Sequence, residues 1–322
     1  MIDLYSRKID YIRVSLTDRC NMRCVYCMPE YGIEKMCHSD VLSYEDMYKL
    51  LKTLNRAGIK KVKITGGEPF VRRDAIKFIE KLKSDSSFEK VTVTTNGMLL
   101  DKYVDELIKM KIDGINISLD SLKEDRYKKL TRGADLKVVL KNIKYILESG
   151  YGNLKINTVL MDGINSDEIL DFATLVRGNK ISLRFIELMP IGEARDFIPV
   201  SREQVLKTLI SEFGELKPIN KNLGNGPAEY ITFKNFKGNI GFIDAVNHKF
   251  CRDCNRIRMD SRGNIKFCLQ YDIGIGTEDY LSGKISEDEF LKKLNMRICD
   301  KPLENNFSSE SVGKFTMNQI GG

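Results

Sequence analysis

The sequence predicts an α/β protein, namely an open or incomplete (β/α)6 barrel that is similar to part of a TIM barrel and is followed by a smaller C-terminal region. Three observations lead to this prediction. Short apolar runs alternate with amphipathic helical windows through the first two-thirds of the chain. After about residue 200 an Asn- and Gly-rich loop precedes short strand-like runs. The length of 322 residues is enough for about two domains.

Apolar runs of strand length define the predicted sheet. Alternation of strands with helices implies βαβ units, in which neighbouring strands are parallel. The predicted strands of the first two-thirds are Tyr11–Leu16, Val62–Thr65, Val91–Thr94, Ile115–Leu119, Leu154–Leu160 and Ile181–Ile186. Two further strands are predicted at Tyr230–Phe233 and Ile240–Ile243.

Helical windows separate these strands. The first, Ser43–Ala57, has a capping box formed by Ser43 and Asp46, and Gly58 ends it. Its apolar residues recur at i, i+3, i+4 and i+7, the spacing of one helix face. Other helices are predicted near Asp74–Lys83, Asp101–Met110, Asp167–Val176 and Ser201–Phe213, with further helical stretches that end at Leu147.

About six strand–helix units are too few for a complete eight-stranded barrel. We therefore assign residues 1–215 to the incomplete barrel and residues 216–322 to the smaller C-terminal region. In barrels of this kind, functional groups lie on the loops that follow the C-terminal ends of the strands. The sequence thus predicts that chemical motifs occur at those positions.

Composition restricts the class of protein. Hydrophobic residues make up 42% and charged residues 30% of the chain, and no stretch approaches the roughly 18 apolar residues of a membrane span. The N-terminus has no apolar segment of the signal-peptide type, so we expect a cytoplasmic protein without a membrane partner. The net charge of +7 suits a small anionic substrate but is too weak and scattered to indicate nucleic-acid binding.

Eight cysteines and two histidines indicate a metal site rich in thiolates, because disulfides are rare in a reducing compartment. Cys20, Cys24 and Cys27 follow the first strand with C-x3-C-x2-C spacing. A closed zinc site with Cys37 as a fourth ligand is one interpretation. The other is a 4Fe-4S cluster, in which three cysteines leave one iron open for a small molecule.

The second interpretation resembles the radical S-adenosylmethionine (SAM) family, whose motif also has an aromatic residue, here Tyr26, before the third cysteine. In that family the open iron binds the amino and carboxylate groups of SAM. The sequence TGGEP after the second strand contains Gly67, and paired glycines let a ligand approach the backbone closely. The resemblance implies SAM contacts from Tyr26, Gly67, Ser118 and Met189.

A second set of cysteines, Cys251, Cys254 and Cys268, has C-x2-C-x13-C spacing. The segments Arg256–Asp260 and Ile265–Cys268 are predicted to form a hairpin that folds the last cysteine back toward the first two. A structural zinc completed by His248 or Cys299 is one interpretation of this spacing. A second iron–sulfur cluster is the other.

The two cysteine sets together with the terminal Gly321-Gly322 resemble the GTP 3′,8-cyclase family of molybdenum cofactor biosynthesis. The likeness extends from IRVSLTDRCN through ITGGEP, TTNG, INISLD and ISLRFIELM to CNRIRM and MNQIGG. It implies two 4Fe-4S clusters, with GTP bound between them and its purine at the open iron of the C-terminal cluster. The implied GTP contacts are Arg13, Lys63, Thr94, Lys155, Arg256 and Arg258.

Some of these contacts have support from the residues themselves. Arg256 and Arg258 are two positions apart on a predicted strand, so they share a face beside the second cysteine set, and guanidinium groups suit phosphate oxygens. Lys61 and Arg184 are further triphosphate candidates. Lys63 departs from the family, which usually has Arg there, so the bidentate geometry is lost. Cys37 and Cys299 match no motif, and we expect both to be buried by apolar packing. Catalytic residues beyond the clusters are not assigned.

The resemblance implies a lyase-type reaction. A SAM-derived radical removes H3′ from GTP, C3′ attacks C8, and reduction gives (8S)-3′,8-cyclo-7,8-dihydroguanosine 5′-triphosphate, the first step of molybdenum cofactor biosynthesis. SAM is consumed in this reaction. The implied partners are an electron donor and, downstream, a cyclic pyranopterin monophosphate synthase, and the chain is expected to be a monomer or homodimer. The alternatives are a radical SAM peptide-modifying enzyme with an auxiliary cluster and a non-enzymatic iron–sulfur or zinc redox protein.

Overall fold

A computed structural model of the chain describes residues 1–33, 37, 40–220, 223–307 and 316–319. The chain divides into two compact units. The first comprises residues 1–21, 31–93 and the chain from residue 249 onward, and the second comprises residues 22–30 and 94–248. The boundary at residues 215 and 216 stays a prediction. No helix in the described ranges has the length and apolar character needed to cross a bilayer.

The first unit is a sheet with helices. Its strands occur in the order β12-β11-β10-β1-β2-β3. These strands are β1 (Tyr11–Ser15), β2 (Lys61–Thr65), β3 (Lys90–Thr95), β10 (Arg256–Met259), β11 (Ile265–Lys266) and β12 (Gly274–Ile275), of which β3 ends in the second unit. The helices of this unit are α1 (Tyr44–Arg56), α2 (Ala75–Ser84), α8 (Glu278–Leu281) and α9 (Glu287–Arg297).

Parallel pairing joins β10, β1, β2 and β3, and antiparallel pairing joins β10 to β11 and β11 to β12. The C-terminal hairpin therefore extends the N-terminal sheet beside β1. Ile12, Val62 and Ile257 are completely buried at adjacent positions of three strands. Their burial fixes which residues of these strands point to the opposite, polar face.

The second unit has the strand order β4-β5-β6-β9-β8-β7. Its strands are β4 (Gly114–Ser118), β5 (Leu154–Leu160), β6 (Ser182–Glu187), β7 (Leu216–Ile219), β8 (Glu229–Phe233) and β9 (Asn239–Ile243). The strands β4, β5, β6 and β9 pair in parallel, in that order. The strand β8 pairs antiparallel with β9 on one side and with β7 on the other. Its helices are α3 (Val104–Lys109), α4 (Glu124–Thr131), α5 (Leu136–Glu148), α6 (Ile169–Gly178) and α7 (Arg202–Phe213).

The predicted α/β alternation is confirmed, and each predicted strand has a counterpart. Ser43 caps α1 as expected, since its side chain accepts a hydrogen bond from the Asp46 amide at 3.0 Å. The prediction did not include β7, β12, α8 or α9. It also did not include the pairing of β10 with β1, because this contact joins segments some 245 residues apart.

Candidate active site

The glycine loop after β2 packs directly on the loop that begins the first cysteine set. The Gly67 amide donates to the Thr17 carbonyl at 2.7 Å, and the Glu68 amide donates to the Arg19 carbonyl at 2.9 Å. A methyl group built on Gly67 would lie only 2.3 Å from the Arg19 carbonyl oxygen. Gly67 is therefore required by the close approach of the chain that leads to Cys20.

We expect Gly67→Ala to disturb both loops, because the backbone of Arg19 cannot move without moving Cys20. The overpacking should cost about 1–3 kcal/mol of stability. SAM affinity should fall at least about tenfold. Thermal unfolding and equilibrium SAM binding measure the two effects. Gly178→Ala is the matched control, since a methyl group there meets no atom within 4 Å; equal SAM affinity in the two variants would contradict the steric argument.

The middle of the first cysteine set is anchored in the second unit. The Cys27 amide donates to the Cys24 carbonyl at 2.9 Å, which closes a tight turn around Tyr26. The Tyr26 hydroxyl donates to the Asp120 carboxylate at 2.7 Å, and the Val159 amide donates to the other carboxylate oxygen at 2.9 Å. Asp120 lies two residues beyond Ser118, so the turn is tied to the C-terminal end of β4.

Burial shifts the pKa values of this pair. Burial, followed by the charge of Asp120, raises the pKa of Tyr26 well above its ordinary value, so the phenol stays a hydrogen-bond donor. Burial also raises the pKa of Asp120 to about 6, although hydrogen bonds from Val159 and Tyr26 oppose the rise. The carboxyl therefore binds a proton more tightly in the folded chain than in the unfolded chain.

This raised pKa predicts how stability depends on pH. Between the ordinary value of 3.8 and about 6, only the folded chain keeps the Asp120 proton, so its contribution to stability falls as pH rises. The loss should reach about 3 kcal/mol and then stay constant above pH 6. Urea unfolding of apo-protein at pH 4.5 and 7 should show about 2 kcal/mol of that loss relative to Asp120→Asn, because the rest of it occurs below pH 4.5. Parallel pH profiles for the two proteins would contradict the assignment.

A row of basic residues crosses one face of the first unit's sheet. Arg13 on β1 is in register with Arg258 on β10 and with Lys63 on β2, and Lys266 on β11 is in register with Arg258. Registered residues on adjacent strands point to the same face of a sheet. We call Lys266, Arg258, Arg13 and Lys63 the basic row.

The positive charges around the basic row act on one another. Burial, then the charges of Arg13 and Arg256, lower the pKa of Arg258 well below its ordinary value. Lys266 is paired with Asp272 at 3.0 Å. Lys61, a further triphosphate candidate, lies two residues before Lys63 on β2 and is paired with Asp10 at 2.7 Å. A polyanion such as a triphosphate would relieve the repulsion at Arg258.

The second cysteine set lies at the end of the basic row. None of the three thiols is in a disulfide, and Cys254 and Cys268 both act electrostatically on Cys251. The hairpin of β10 and β11 brings Cys268 back as predicted. Burial raises the pKa of the Cys251 thiol. Three half-buried thiols that influence one another are a donor set that fits a 4Fe-4S cluster with one open iron.

Cys254 differs from Cys251 because two cations surround it. Burial alone would raise its pKa, but the charges of Arg256 and Lys301 and hydrogen bonds from Arg256 lower the pKa of Cys254 to about 7. The Arg256 guanidinium also lies 4.6 Å from the centre of the Phe250 ring. Arg256 therefore acts on the cysteine site itself. The sequence predicted Arg256 beside this site as a ligand of GTP, but it did not predict the hydrogen bond to Cys254.

A polar face also runs across the second unit. Ser118, Asn157 and Arg184 are in register on β4, β5 and β6, and Lys155 precedes Asn157 by two residues on the same face. Arg184 donates to Asn116, and Lys155 donates to Asn153 at 2.5 Å. These strands thus present the predicted residues Ser118, Lys155 and Arg184 together.

Asn157 is a residue of this face that the sequence prediction missed. Its Oδ1 atom is buried and has no hydrogen-bond partner in the described part of the chain. The same holds for the hydroxyl of Thr94, which belongs to the second unit. Buried polar atoms normally have partners, so both atoms fit a role in binding a polar ligand. The sequence did contain a signal for Asn157, because a residue two positions after Lys155 on a strand shares its face.

The remaining predicted residues have clear positions. Met189 is partly buried just after β6, whose last residue Glu187 accepts a 2.7 Å hydrogen bond from the Val246 amide. His248 belongs to the second unit and hydrogen-bonds Glu203 at 2.9 Å. The predicted burial of Cys37 and Cys299 is wrong because both are exposed; the buried position beside Cys299 is taken by Ile298. Gly321 and Gly322 lie outside the described residues.

Comparison with known protein families identifies the class of protein to which the chain belongs. Residues 14–176 match the model of the radical SAM superfamily, and residues 181–307 match a model described as Molybdenum Cofactor Synthesis C. A glycine loop and a three-cysteine loop after adjacent strands therefore belong to a radical SAM protein. The zinc interpretation of the first cysteine set is set aside by this match.

Full-length relatives give the particular family. A GTP 3′,8-cyclase of Clostridium botulinum strain Langeland is 44% identical over 327 residues, and one of Petrotoga mobilis is 41% identical over 326 residues. One of Desulforamulus reducens is 38% identical over 325 residues, and all three alignments cover both chains completely. The chain belongs to the GTP 3′,8-cyclase family. Its cofactors are SAM and two 4Fe-4S clusters.

Solved structures confirm the fold. Streptococcus suis SuiB bound to its precursor peptide SuiA superposes with a TM-score of 0.62 at 18% identity, over 92% of this chain and 66% of that one. SuiB bound to S-adenosylmethionine superposes with a TM-score of 0.59 at 19% identity, over 82% of this chain and 61% of that one. The chain spans about two thirds of these longer proteins. Such likenesses show the incomplete barrel of radical SAM proteins and nothing about substrate.

Proposed function

We propose that the chain converts GTP to (8S)-3′,8-cyclo-7,8-dihydroguanosine 5′-triphosphate with consumption of SAM. The observation that carries this proposal is the basic row, which ends at the hairpin bearing the second cysteine set. A row of four cations beside an iron–sulfur site suits a substrate with a triphosphate at one end and a metal-binding base at the other. The full-length relatives named for this reaction support the same substrate.

The first cysteine set serves radical formation. When bound, its cluster and SAM supply a 5′-deoxyadenosyl radical that can take a hydrogen atom from an unactivated C–H bond. We propose that Cys20, Cys24 and Cys27 hold the cluster and that the backbone at Gly67 receives the SAM amino group. The turn fixed by Tyr26 and Asp120 holds the middle of this set in place. Ser118 and Met189 are proposed as further SAM contacts.

The substrate is held at its two ends. We propose that Arg13, Lys63 and Arg258 bind the triphosphate, and that Arg256 serves both the nucleotide and the second cysteine set. Lys155 and Thr94, on the polar face and at the end of β3, are proposed as further GTP contacts. The ribose and the base belong to one molecule, and holding them in one reactive geometry lowers the entropic cost of forming the C3′–C8 bond.

The second cysteine set, Cys251, Cys254 and Cys268, is proposed to orient the purine through the open iron of its cluster. An unidentified electron donor and a downstream cyclic pyranopterin monophosphate synthase are the proposed partners. A cytoplasmic location and a monomeric or homodimeric state stay predictions from the sequence. The runner-up function is modification of a peptide; one solved neighbour is bound to a precursor peptide, but its identity of 18% supports only the fold.

One experiment tests this function. The full chain is reconstituted anaerobically with iron and sulfide, reduced, and incubated with SAM and GTP. We expect about eight irons per chain, formation of 5′-deoxyadenosine that depends on the reductant, and a cyclised triphosphate with an altered ultraviolet spectrum. Zinc in place of iron at the C-terminal cysteines, or 5′-deoxyadenosine without any change in GTP, would overturn the proposal.

A further inference from the structure

Arg7 joins the second cysteine set to the segment Lys301–Leu303, which lies a few residues beyond α9. It is only 6% exposed and forms a 2.5 Å ion pair with Asp3, which is also buried. Its guanidinium donates to the Cys251 carbonyl at 2.7 Å and to the carbonyls of the segment Lys301–Leu303 at 3.2, 2.9 and 3.3 Å. The first cysteine and this segment are therefore held by one buried cation.

Lys301 extends the same network to the other two cysteines. Its side chain is buried, with the residue 3% exposed, and its Nζ donates to the Arg256 carbonyl at 3.0 Å and to the Phe267 carbonyl at 2.5 Å. Arg256 lies two residues after Cys254, and Phe267 directly precedes Cys268. A single ammonium group thus bridges both strands of the hairpin at its cysteine end.

In the part of the chain that the structure describes, no carboxylate balances the charge of this ammonium. Among the residues that the structure describes, Lys301 forms no ion pair, and its hydrogen-bond partners are neutral carbonyls. A buried cation is costly unless an anion compensates it. A 4Fe-4S cluster on three thiolates is anionic and gains a further negative charge on reduction. The hydrogen bonds to neutral carbonyls hold the Lys301 ammonium in position, and an anionic cluster would balance its charge.

We propose that Lys301 is a positioning residue of the C-terminal cluster, which holds the β10–β11 hairpin at its cysteine end and raises the reduction potential of the cluster through its buried charge. This inference rests on the iron–sulfur assignment of the second cysteine set. Nearby charges and hydrogen bonds set the potentials of such clusters, and an unscreened buried charge acts more strongly than an exposed one. Arg7 supports this role by fixing the segment that carries Lys301.

The test uses the full chain with Cys20, Cys24 and Cys27 replaced by alanine, so that only the C-terminal cluster forms. Lys301→Met keeps the length of the side chain and removes the charge, whereas Lys301→Arg keeps the charge. Arg252→Gln is the matched control, because Arg252 lies between Cys251 and Cys254 but its side chain is 79% exposed. Iron and sulfide content, thermal unfolding of apo-protein and an EPR-monitored redox titration are measured for each.

We expect Lys301→Met to shift the midpoint potential to more negative values, by more than Arg252→Gln does, and to lower cluster occupancy. Lys301→Arg should recover the potential. If Lys301→Met assembles no cluster while Lys301→Arg and Arg252→Gln do, the result also supports the inference, because the cluster then requires the positive charge at residue 301. A potential in Lys301→Met equal to that of the parent or of Arg252→Gln would overturn the inference. Zinc or no iron in the parent chain would instead refute the iron–sulfur assignment, so the two failures are distinguishable.

Discussion

Alanine at Cys20, Cys24 or Cys27 is expected to abolish reductive SAM cleavage, because two thiolates cannot hold a 4Fe-4S cluster with a defined open iron. Iron content should fall from about eight to about four per chain, since the second cysteine set is unchanged. The measurement is 5′-deoxyadenosine formation with a chemical reductant, together with iron and sulfide analysis. The loss should be to the background rate for each of the three variants.

Cys299→Ala is the matched control for this prediction. Cys299 is exposed on a short turn after α9, so its replacement should leave iron content and SAM cleavage at wild-type values. A variant of the first cysteine set that forms 5′-deoxyadenosine at the wild-type rate would contradict the radical SAM assignment of that residue.

Arg258→Ala is expected to weaken GTP binding by about 2–4 kcal/mol, or roughly 30- to 900-fold in affinity. Arg258 lies at the centre of the basic row between Arg13 and Lys266, and it is nearly completely buried. Removing its guanidinium leaves triphosphate charge uncompensated. Arg13→Ala should have an effect of the same size, because the two residues are in register.

Several controls separate charge loss from loss of structure. Arg262→Ala removes a positive charge from the exposed turn of the same hairpin and should leave GTP affinity unchanged. Iron content should stay at the wild-type value in Arg258→Ala. Arg256 is unsuited to this test because its side chain also hydrogen-bonds Cys254. Wild-type GTP affinity in Arg258→Ala with both clusters intact would show that the basic row does not bind the triphosphate.

Local pattern was enough to predict the alternating elements of the chain. The capping residue Ser43, the stop at Gly58 and the strand-length apolar runs each act over a few residues, so they are visible in the sequence. The helix α9 also has such a signal, a capping box between Ser286 and Glu289 that the prediction did not use. Short strands such as β12 form only because a partner strand is present, and two residues carry no periodicity.

The site could be predicted where a motif defines it and not where tertiary contact defines it. The cysteine spacings and the glycine loop identify the clusters and SAM, and the positions of Arg13, Lys63 and Arg258 follow from the resemblance. Their alignment in one row depends on the parallel pairing of β10 with β1, which no local pattern predicts. Polar residues outside a motif that the fold buries wholly or in part, such as Lys301 and Asn157, are equally hard to predict, since in a sequence they look like ordinary surface residues.

The fate of the hydrogen at C3′ of GTP tests the proposed reaction most directly. The reconstituted full chain is given GTP labelled with deuterium at C3′, and the 5′-deoxyadenosine is analysed by mass spectrometry. We expect transfer of one deuterium to 5′-deoxyadenosine in step with formation of the cyclised triphosphate. Unlabelled 5′-deoxyadenosine formed together with the cyclised product would contradict it.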